Sequence, residues 1–175
     1  MLNKLAIIIN PVAGKGQYIS DLSRVVGSFC RHGYCVTIYM TGKQGDATAF
    51  AHMYGGEYEI LVCCGGDGTL SETVNGLMQL KAPPPLGYIP IGTTNDFANS
   101  LGLPKDLKKA ARLIMTAEPT AIDLGIFGGN IYFTYIAAFG AFTDVPYTTP
   151  QETKNILGHF AYIVEGMSRL NSIPP

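Results

Sequence analysis

Three apolar runs end in loops built from the same few residue types, and this repetition constrains the fold more than any other feature. Residues 5–9, 60–64 and 86–91 are almost wholly apolar. Each runs straight into a segment of glycine, asparagine, threonine or aspartate, at 10–16, 65–69 and 92–96. A short continuous apolar run is a strand covered on both faces, the habit of parallel sheets; antiparallel strands with one wet face alternate instead.

The segments between these runs read as helices. Ile19, Leu22, Val25, Val26, Phe29 and Cys30 recur at helical spacing, and Gly33 stops them. Residues 35–40 form a further strand and 46–54 a short alanine-rich helix. Thr69-Leu70-Ser71-Glu72 has the form of a capping box, which starts a helix at Thr69 with Leu70, Val74, Leu77 and Met78 on its buried face. Pro83-Pro84-Pro85 is a stiff connector, and Asp106 caps a helix with Ala110, Ala111, Leu113 and Ile114 inward. The order β-α-β-α-β-α-β-α over 1–120 predicts a doubly wound, mainly parallel α/β sheet.

The pattern changes after residue 120. Residues 121–127 and 131–138 read as an antiparallel hairpin turning at Gly128-Gly129-Asn130. Thr149-Pro150-Gln151-Glu152 is a second capping box, opening a helix to about Leu170 with Ile156, Phe160, Val164 and Met167 inward. One hairpin and one helix do not make an independent domain. Residues 121–175 are therefore expected to be the incomplete start of a β-rich second domain, and the chain a piece of something longer.

Composition narrows the function classes. Apolar residues make up 47% of the chain and charged residues 14%, which suits a packed core and excludes disorder. A net charge of −1 supplies no field to recruit nucleic acid. Cys30, Cys35, Cys63 and Cys64 contain no CxxC pair and read as reduced, mostly buried thiols. His32, His52 and His159 read as helix-surface or boundary residues, and Lys105, Lys108, Lys109 and Arg112 as a solvated helix face. The N-terminal run is too short for a signal peptide, and no window reaches the ~20 apolar residues of a membrane span. A cytoplasmic protein, at most peripheral at a membrane, is expected.

The chemistry falls on three loops at the carboxyl ends of predicted parallel strands, the edge where open α/β sheets bind ligands. In Gly65-Gly66-Asp67-Gly68-Thr69 the glycines permit close approach and positive φ, and the following helix directs its free N–H groups at the loop. Together these suit a phosphate. Asp67 would repel a phosphate directly, so it implies an intervening Mg²⁺ or a hydroxyl to be deprotonated. Two common nucleotide motifs are absent. The Walker pattern fails around Gly14-Lys15, where Ile9 and Gly16 occupy required positions. The Gly-x-Gly-x-x-Gly fingerprint fails at Ser71 and at Ile19.

Asn10-Pro11 with Gly14, then 65–76 beginning Gly65-Gly66-Asp67-Gly68-Thr69, then 90–98 containing Gly92-Thr93-Thr94-Asn95-Asp96, resemble the diacylglycerol kinase catalytic domain, especially its bacterial lipid kinase branch. The resemblance continues through Ile122-Asp123-Leu124-Gly125 to Gly140. It implies transfer of the ATP γ-phosphate to a lipid hydroxyl, with Mg²⁺, at a cleft between an α/β domain and a β-rich domain. It implies that Gly65, Gly66, Asp67, Gly68, Thr69, Leu70 and Ser71 wrap the phosphates, with Asp67 acting through the metal. Asn10, Gly14, Lys15, Thr41, Thr93 and Asn95 would line the nucleotide site, and Asp67, Asp96 and Asp123 would be the catalytic carboxylates. It also implies a membrane-borne lipid substrate and no nucleic acid partner; homo-oligomer formation stays open. The family's general base lies later than residue 175, and Asp144, Glu152 and Glu165 match no motif that would replace it. A soluble-substrate kinase of the NAD kinase type and a non-catalytic nucleotide-binding module remain alternatives.

Overall fold

The structure is a computed structural model, and it describes residues 3–14 and 19–135. Four parallel strands, β1 (Asn3–Ile9), β2 (Tyr34–Met40), β3 (Ile60–Gly65) and β4 (Leu86–Pro90), form one sheet in the order β2-β1-β3-β4. Each connection crosses by way of a helix. α1 (Ile19–Arg31) and α5 (Leu107–Thr116) cover one face; α2 (Asp46–Tyr54) and α3 (Asp67–Leu77) cover the other. A short α4 (Asp96–Ser100) follows β4. This is the expected doubly wound α/β sheet.

Strand periodicity divides the core. Leu5, Ile7 and Ile9 of β1 pack with Val25 and Phe29 of α1 and Ala110 and Ala111 of α5. Ala6 and Ile8 point the other way, onto Ala47 and Ala51 of α2 and Leu77 of α3. Phe29 is fully buried, a burial that contributes about 1.5–3 kcal/mol. Cys63 and Cys64 follow the same alternation, Cys64 toward α1 and α5 and Cys63 toward α3.

Four local features differ from the sequence expectations. The third helix begins at Asp67, not Thr69, because Gly66 is extended (φ −95, ψ −173) and the chain turns into helix at once. The expected capping box does not form: no side chain caps α3. Cys30 and Cys35 are exposed, so two of the four thiols are not buried. Leu113 is likewise 38% exposed, because α5 packs through its small residues Ala110 and Ala111.

The hairpin is present as β5 (Gly125–Phe127) and β6 (Ile131–Phe133), antiparallel, with Gly128 and Gly129 at positive φ (62 and 85) in the turn. The chain divides into two compact units, Met1–Tyr135 and Ile136–Pro175, and the described hairpin belongs to the first. Both strands are shorter than expected, since residues 121–124 and 134–135 are not strand; the expected continuation over 136–138, the second capping box at Thr149 and its helix, and His159 lie outside the described residues, as does Lys15. His52 is exposed on α2 and His32 is exposed in the turn that follows α1, as expected. Among the described residues no helix is long and apolar enough to cross a membrane.

Candidate functional site

All four parallel strands end at one edge, and their loops are tied together there. The chain goes from β1 out to β2, then returns past β1 to β3, so the topological switch point lies between the carboxyl ends of β1 and β3. Asn10 stands at that point. Its N–H donates to Cys64 O at 3.1 Å and its Nδ2 donates to Thr69 Oγ1 at 3.3 Å, while its Oδ1 accepts from Val12 N–H at 3.0 Å. Thr69, expected as a helix cap, instead joins the first loop to α3.

The β3 and β4 loops meet through glycine. A Cβ at Gly92 would stand 2.5 Å from Gly66 Cα, and one at Gly65 would strike the Thr69 side chain. The positive φ expected in this loop is absent at Gly65, Gly66 and Gly68; the Thr69 side chain excludes a Cβ at Gly65, and the Gly92 backbone crowds one at Gly66. Gly14 does sit at positive φ (59), with the Ile91 carbonyl where a Cβ would go, which brings the β1 loop against the end of β4. Gly68 differs: nothing of the protein occupies the space its Cβ would fill.

Asp67 reaches across to the neighbouring loop. Its Oδ2 accepts Asp96 N–H at 3.1 Å and its Oδ1 accepts Phe97 N–H at 3.2 Å, so Asp67 caps α4 rather than its own helix. The N-cap of α3 is Gly66, which has no side chain to cap it. Leu70 N–H makes the first bond of α3, to Gly66 O at 3.0 Å, and by helix geometry the N–H groups of Asp67, Gly68 and Thr69 have no intrahelical acceptor. An uncapped helix start at a sheet edge is suited to an anion.

Asn95 holds the fourth loop. It is buried in the left-handed region (φ 54), its Oδ1 accepts Gly92 N–H at 2.9 Å and its Nδ2 donates to Gly92 O at 2.7 Å. The Tyr88 hydroxyl faces Gly65 O at 3.3 Å and Asn95 Oδ1 at 3.5 Å. Burial, with the charge of nearby groups including Asp67, pushes the Tyr88 phenol up, so it stays a neutral O–H donor at any working pH. Thr94 Oγ1 is buried with no hydrogen-bond partner among the described residues.

The structure thus brings together Asn10, Gly14, Gly65, Gly66, Asp67, Gly68, Thr69, Asn95 and Asp96. Thr93 is exposed in the same loop, and Ser71 is half-buried on the second turn of α3. Leu70 turns its side chain into the core and its N–H to Gly66, so it offers nothing to a ligand. Thr41 sits one strand away, its N–H and hydroxyl both on Ile9 O at 2.9 and 3.4 Å. Asp123 is exposed in the connector before β5, with no hydrogen bond to the four loops among the described residues. Tyr88 and Asn75 were not singled out from the sequence. The signal that could have found Asn75 is its register one turn after Ser71 on α3.

Among the described residues no three His, Cys, Asp or Glu side chains gather as a metal site. Mg²⁺ does not need such a cage: it keeps waters and takes one or two carboxylates together with phosphate oxygens. The Asp67 carboxylate, held by two N–H groups and retaining lone pairs, fits that use.

A doubly wound α/β sheet with an uncapped helix start and apposed glycines at the carboxyl edge of its strands is the class of fold that binds ligands at that edge. The family itself is shown by comparison. The diacylglycerol kinase catalytic domain profile matches residues 4–127, and the chain belongs to that family. It is 39% identical over 176 residues to a diacylglycerol kinase of Bacillus subtilis (strain 168), covering 99% of this chain and 58% of the relative. It is 40% identical over 171 residues to one from Staphylococcus aureus (strain bovine RF122 / ET3-1), covering 97% and 54%. The chain therefore spans little more than half the length of these relatives. A crystal structure assigned to a diacylglycerol kinase of Bacillus anthracis str. Sterne superposes with TM-score 0.68 at 34% identity, over 74% of this chain and 44% of that one.

Proposed function

We propose that this chain is the ATP-binding portion of a lipid kinase that transfers the γ-phosphate of ATP to a lipid hydroxyl, that of diacylglycerol. The uncapped start of α3, facing the apposed Gly66 and Gly92 in a chain of this family, carries the proposal. The N–H groups of Asp67, Gly68 and Thr69 would hold phosphate oxygens, and Asn10, Gly14 and Thr93 would line the cleft. Lys15 and Thr41 would complete its nucleotide side. Asp67 would hold Mg²⁺, with exposed Asp96 beside it and Asp123 at the entry to the hairpin.

Bound Mg²⁺ would neutralise charge on the phosphates. The chain's own residues position the donor and hold it still, which is most of what phosphoryl transfer asks of a protein. None of the residues of the four loops is assigned to activate the acceptor hydroxyl, and a peripheral encounter with a membrane surface would bring the lipid.

Gly68→Ala tests the site directly. The protein leaves open space at that Cβ, so the variant should fold at least as well as the parent, with a helix gain of about 0.5–1 kcal/mol. If phosphates lie against Gly68, calorimetric titration with Mg²⁺-ATP should show affinity falling by about tenfold or more. Unchanged affinity in a stable variant places the nucleotide elsewhere. Phosphorylation of diacylglycerol by the intact gene product, followed with labelled ATP, tests the reaction; NADP formation from NAD instead would overturn it.

A further inference from the structure

Hydrogen bonding between α3 and the β5–β6 hairpin passes, among the described residues, through one side chain. Asn75 Nδ2 donates to Tyr132 O at 2.8 Å, and Tyr132 N–H donates to Asn75 Oδ1 at 2.9 Å. This is the double exchange that two paired residues make in an antiparallel ladder, with a side-chain amide replacing a strand. A third bond, Asn75 Nδ2 to Ser71 O at 2.8 Å, fixes the amide on its own helix. One turn away on α3 stand Ser71 and the charged Glu72 before it, and Gln79 after it, whose Nε2 donates to Asn75 O at 3.0 Å; Glu72 adds to the disfavouring of a carboxylate at position 75.

Packing follows the same line. Leu124 and Tyr132 of the hairpin region rest on Cys63, Leu70, Val74, Tyr88, Phe97 and Ala98. That cluster contains Leu70 from the first turn of α3 and Phe97, whose N–H Asp67 holds. The hairpin therefore shares one core with both helix starts of the candidate phosphate site. Neither an ionised aspartate nor an alanine reproduces the clamp. Aspartate keeps the acceptor but sets a carboxylate against two carbonyls, and alanine leaves both main-chain groups of Tyr132 without a protein partner.

We propose that Asn75 is a positioning residue, which sets the hairpin, and with it the acceptor side of the enzyme, in register with the donor phosphate at the start of α3. The proposal rests on the lipid kinase function set out above. Asn75 need touch neither substrate; it acts by fixing the Tyr132 backbone.

The test uses Asn75→Ala and Asn75→Asp in the intact gene product, with two readouts. The first is hydrogen exchange of the Tyr132 amide without ligands. The second is kcat and KM for ATP and for diacylglycerol in mixed vesicles, from about pH 8 to about pH 5. In Asn75→Ala, Tyr132 exchange should rise about tenfold or more, and kcat should fall about 10- to 100-fold with KM for ATP within about threefold. Asn75→Asp should match that loss at pH 8. Two facing carbonyls disfavour its carboxylate, so its folded pKa is raised; as pH falls through that value, the carboxyl O–H can donate to Tyr132 O while its carbonyl accepts Tyr132 N–H. Protection and kcat relative to the parent should therefore recover toward pH 5 in Asn75→Asp and not in Asn75→Ala. Unchanged Tyr132 exchange in Asn75→Ala, or no recovery in Asn75→Asp, would overturn the proposal. If the parent phosphorylates no lipid, the kinase function fails, while the exchange readout still judges the clamp.

Discussion

The carboxylate of Asp67 accepts the backbone N–H of Asp96 at 3.1 Å, so the first residue of α3 holds the first residue of α4. The same carboxylate takes Phe97 N–H at 3.2 Å. Asp67 thus has a structural task as well as its proposed catalytic one, and the two separate by substitution. Asp67→Ala removes both bonds and should cost about 0.5–2 kcal/mol, as the loss of a helix cap does. Asp67→Asn keeps the shape and one acceptor, so it should unfold within a few degrees of the parent. In the intact enzyme it should still lose about 100-fold or more of turnover, because the charge that would hold Mg²⁺ is gone. Thermal unfolding and turnover of both variants decide the matter; a loss below about tenfold in Asp67→Asn would leave Asp67 as a cap alone.

The contact between Gly66 and Gly92 makes a second prediction. A methyl at Gly92 would lie 2.5 Å from Gly66 Cα and 2.7 Å from Asn95 Oδ1, backbone against backbone on one side. The two loops can relieve this only by separating. Gly92→Ala should therefore destabilise by on the order of 1–3 kcal/mol, as overpacking does. It should also weaken nucleotide binding, since separation opens the cleft. Denaturant titration checks the first effect and calorimetric titration with ATP the second. Full stability in Gly92→Ala would show that the loops are not held in contact.

The sheet was legible because its evidence is local: apolar runs, glycine breaks and helical spacing in the segments between. The candidate site was legible as a set of loops but not as a set of bonds. Thr69 reads as a cap because Thr-x-x-Glu is a local pattern, yet Gly66 starts the helix earlier and leaves Thr69 to meet Asn10, 59 residues away in sequence. Asp67 reads as a ligand to something, but the N–H groups it holds belong to a short helix that has no periodic signal in five residues. Asn95 reads as ligand-facing, and its amide is engaged by Gly92 within its own loop. Partners distant in sequence, or set by backbone conformation, leave no pattern along the chain.

The cysteines supply a prediction independent of function. Cys63 is fully buried and its thiol is pushed up to about 12, chiefly by burial. Cys64 is 1% exposed and also raised by burial, while Cys30 and Cys35 are exposed. Reaction of thiols needs access and thiolate. A colorimetric thiol titration of the native protein at about pH 8 should therefore show a fast phase from Cys30 and Cys35 and no reaction at Cys63 and Cys64 until denaturant is added. Mass spectrometry after brief alkylation should find the label on Cys30 and Cys35 only. Early labelling of Cys63 would show that β3 opens far more readily than its place in the centre of the sheet implies.

Asp46 carries the last prediction. Its Oδ2 accepts Gly42 N–H at 2.7 Å and Lys43 N–H at 3.0 Å, shaping the loop between Thr41 and α2. These bonds, Gly42 first, hold its carboxyl below the ordinary value of 3.8. A depressed folded pKa means stability that is fully present above 3.8 and is lost as pH falls through the lower folded value. Asp46→Asn removes the charge and retains the shape. It should be less stable than the parent at neutral pH, by a small margin because solvent screens this exposed carboxylate. The gap should stay constant down to the ordinary aspartate value and close below it, as the parent carboxyl takes up its proton. Paired thermal unfolding curves from pH 7 downward measure this. A gap that persists undiminished at the acid end would mean that amide geometry, and not carboxylate charge, holds the Thr41 loop.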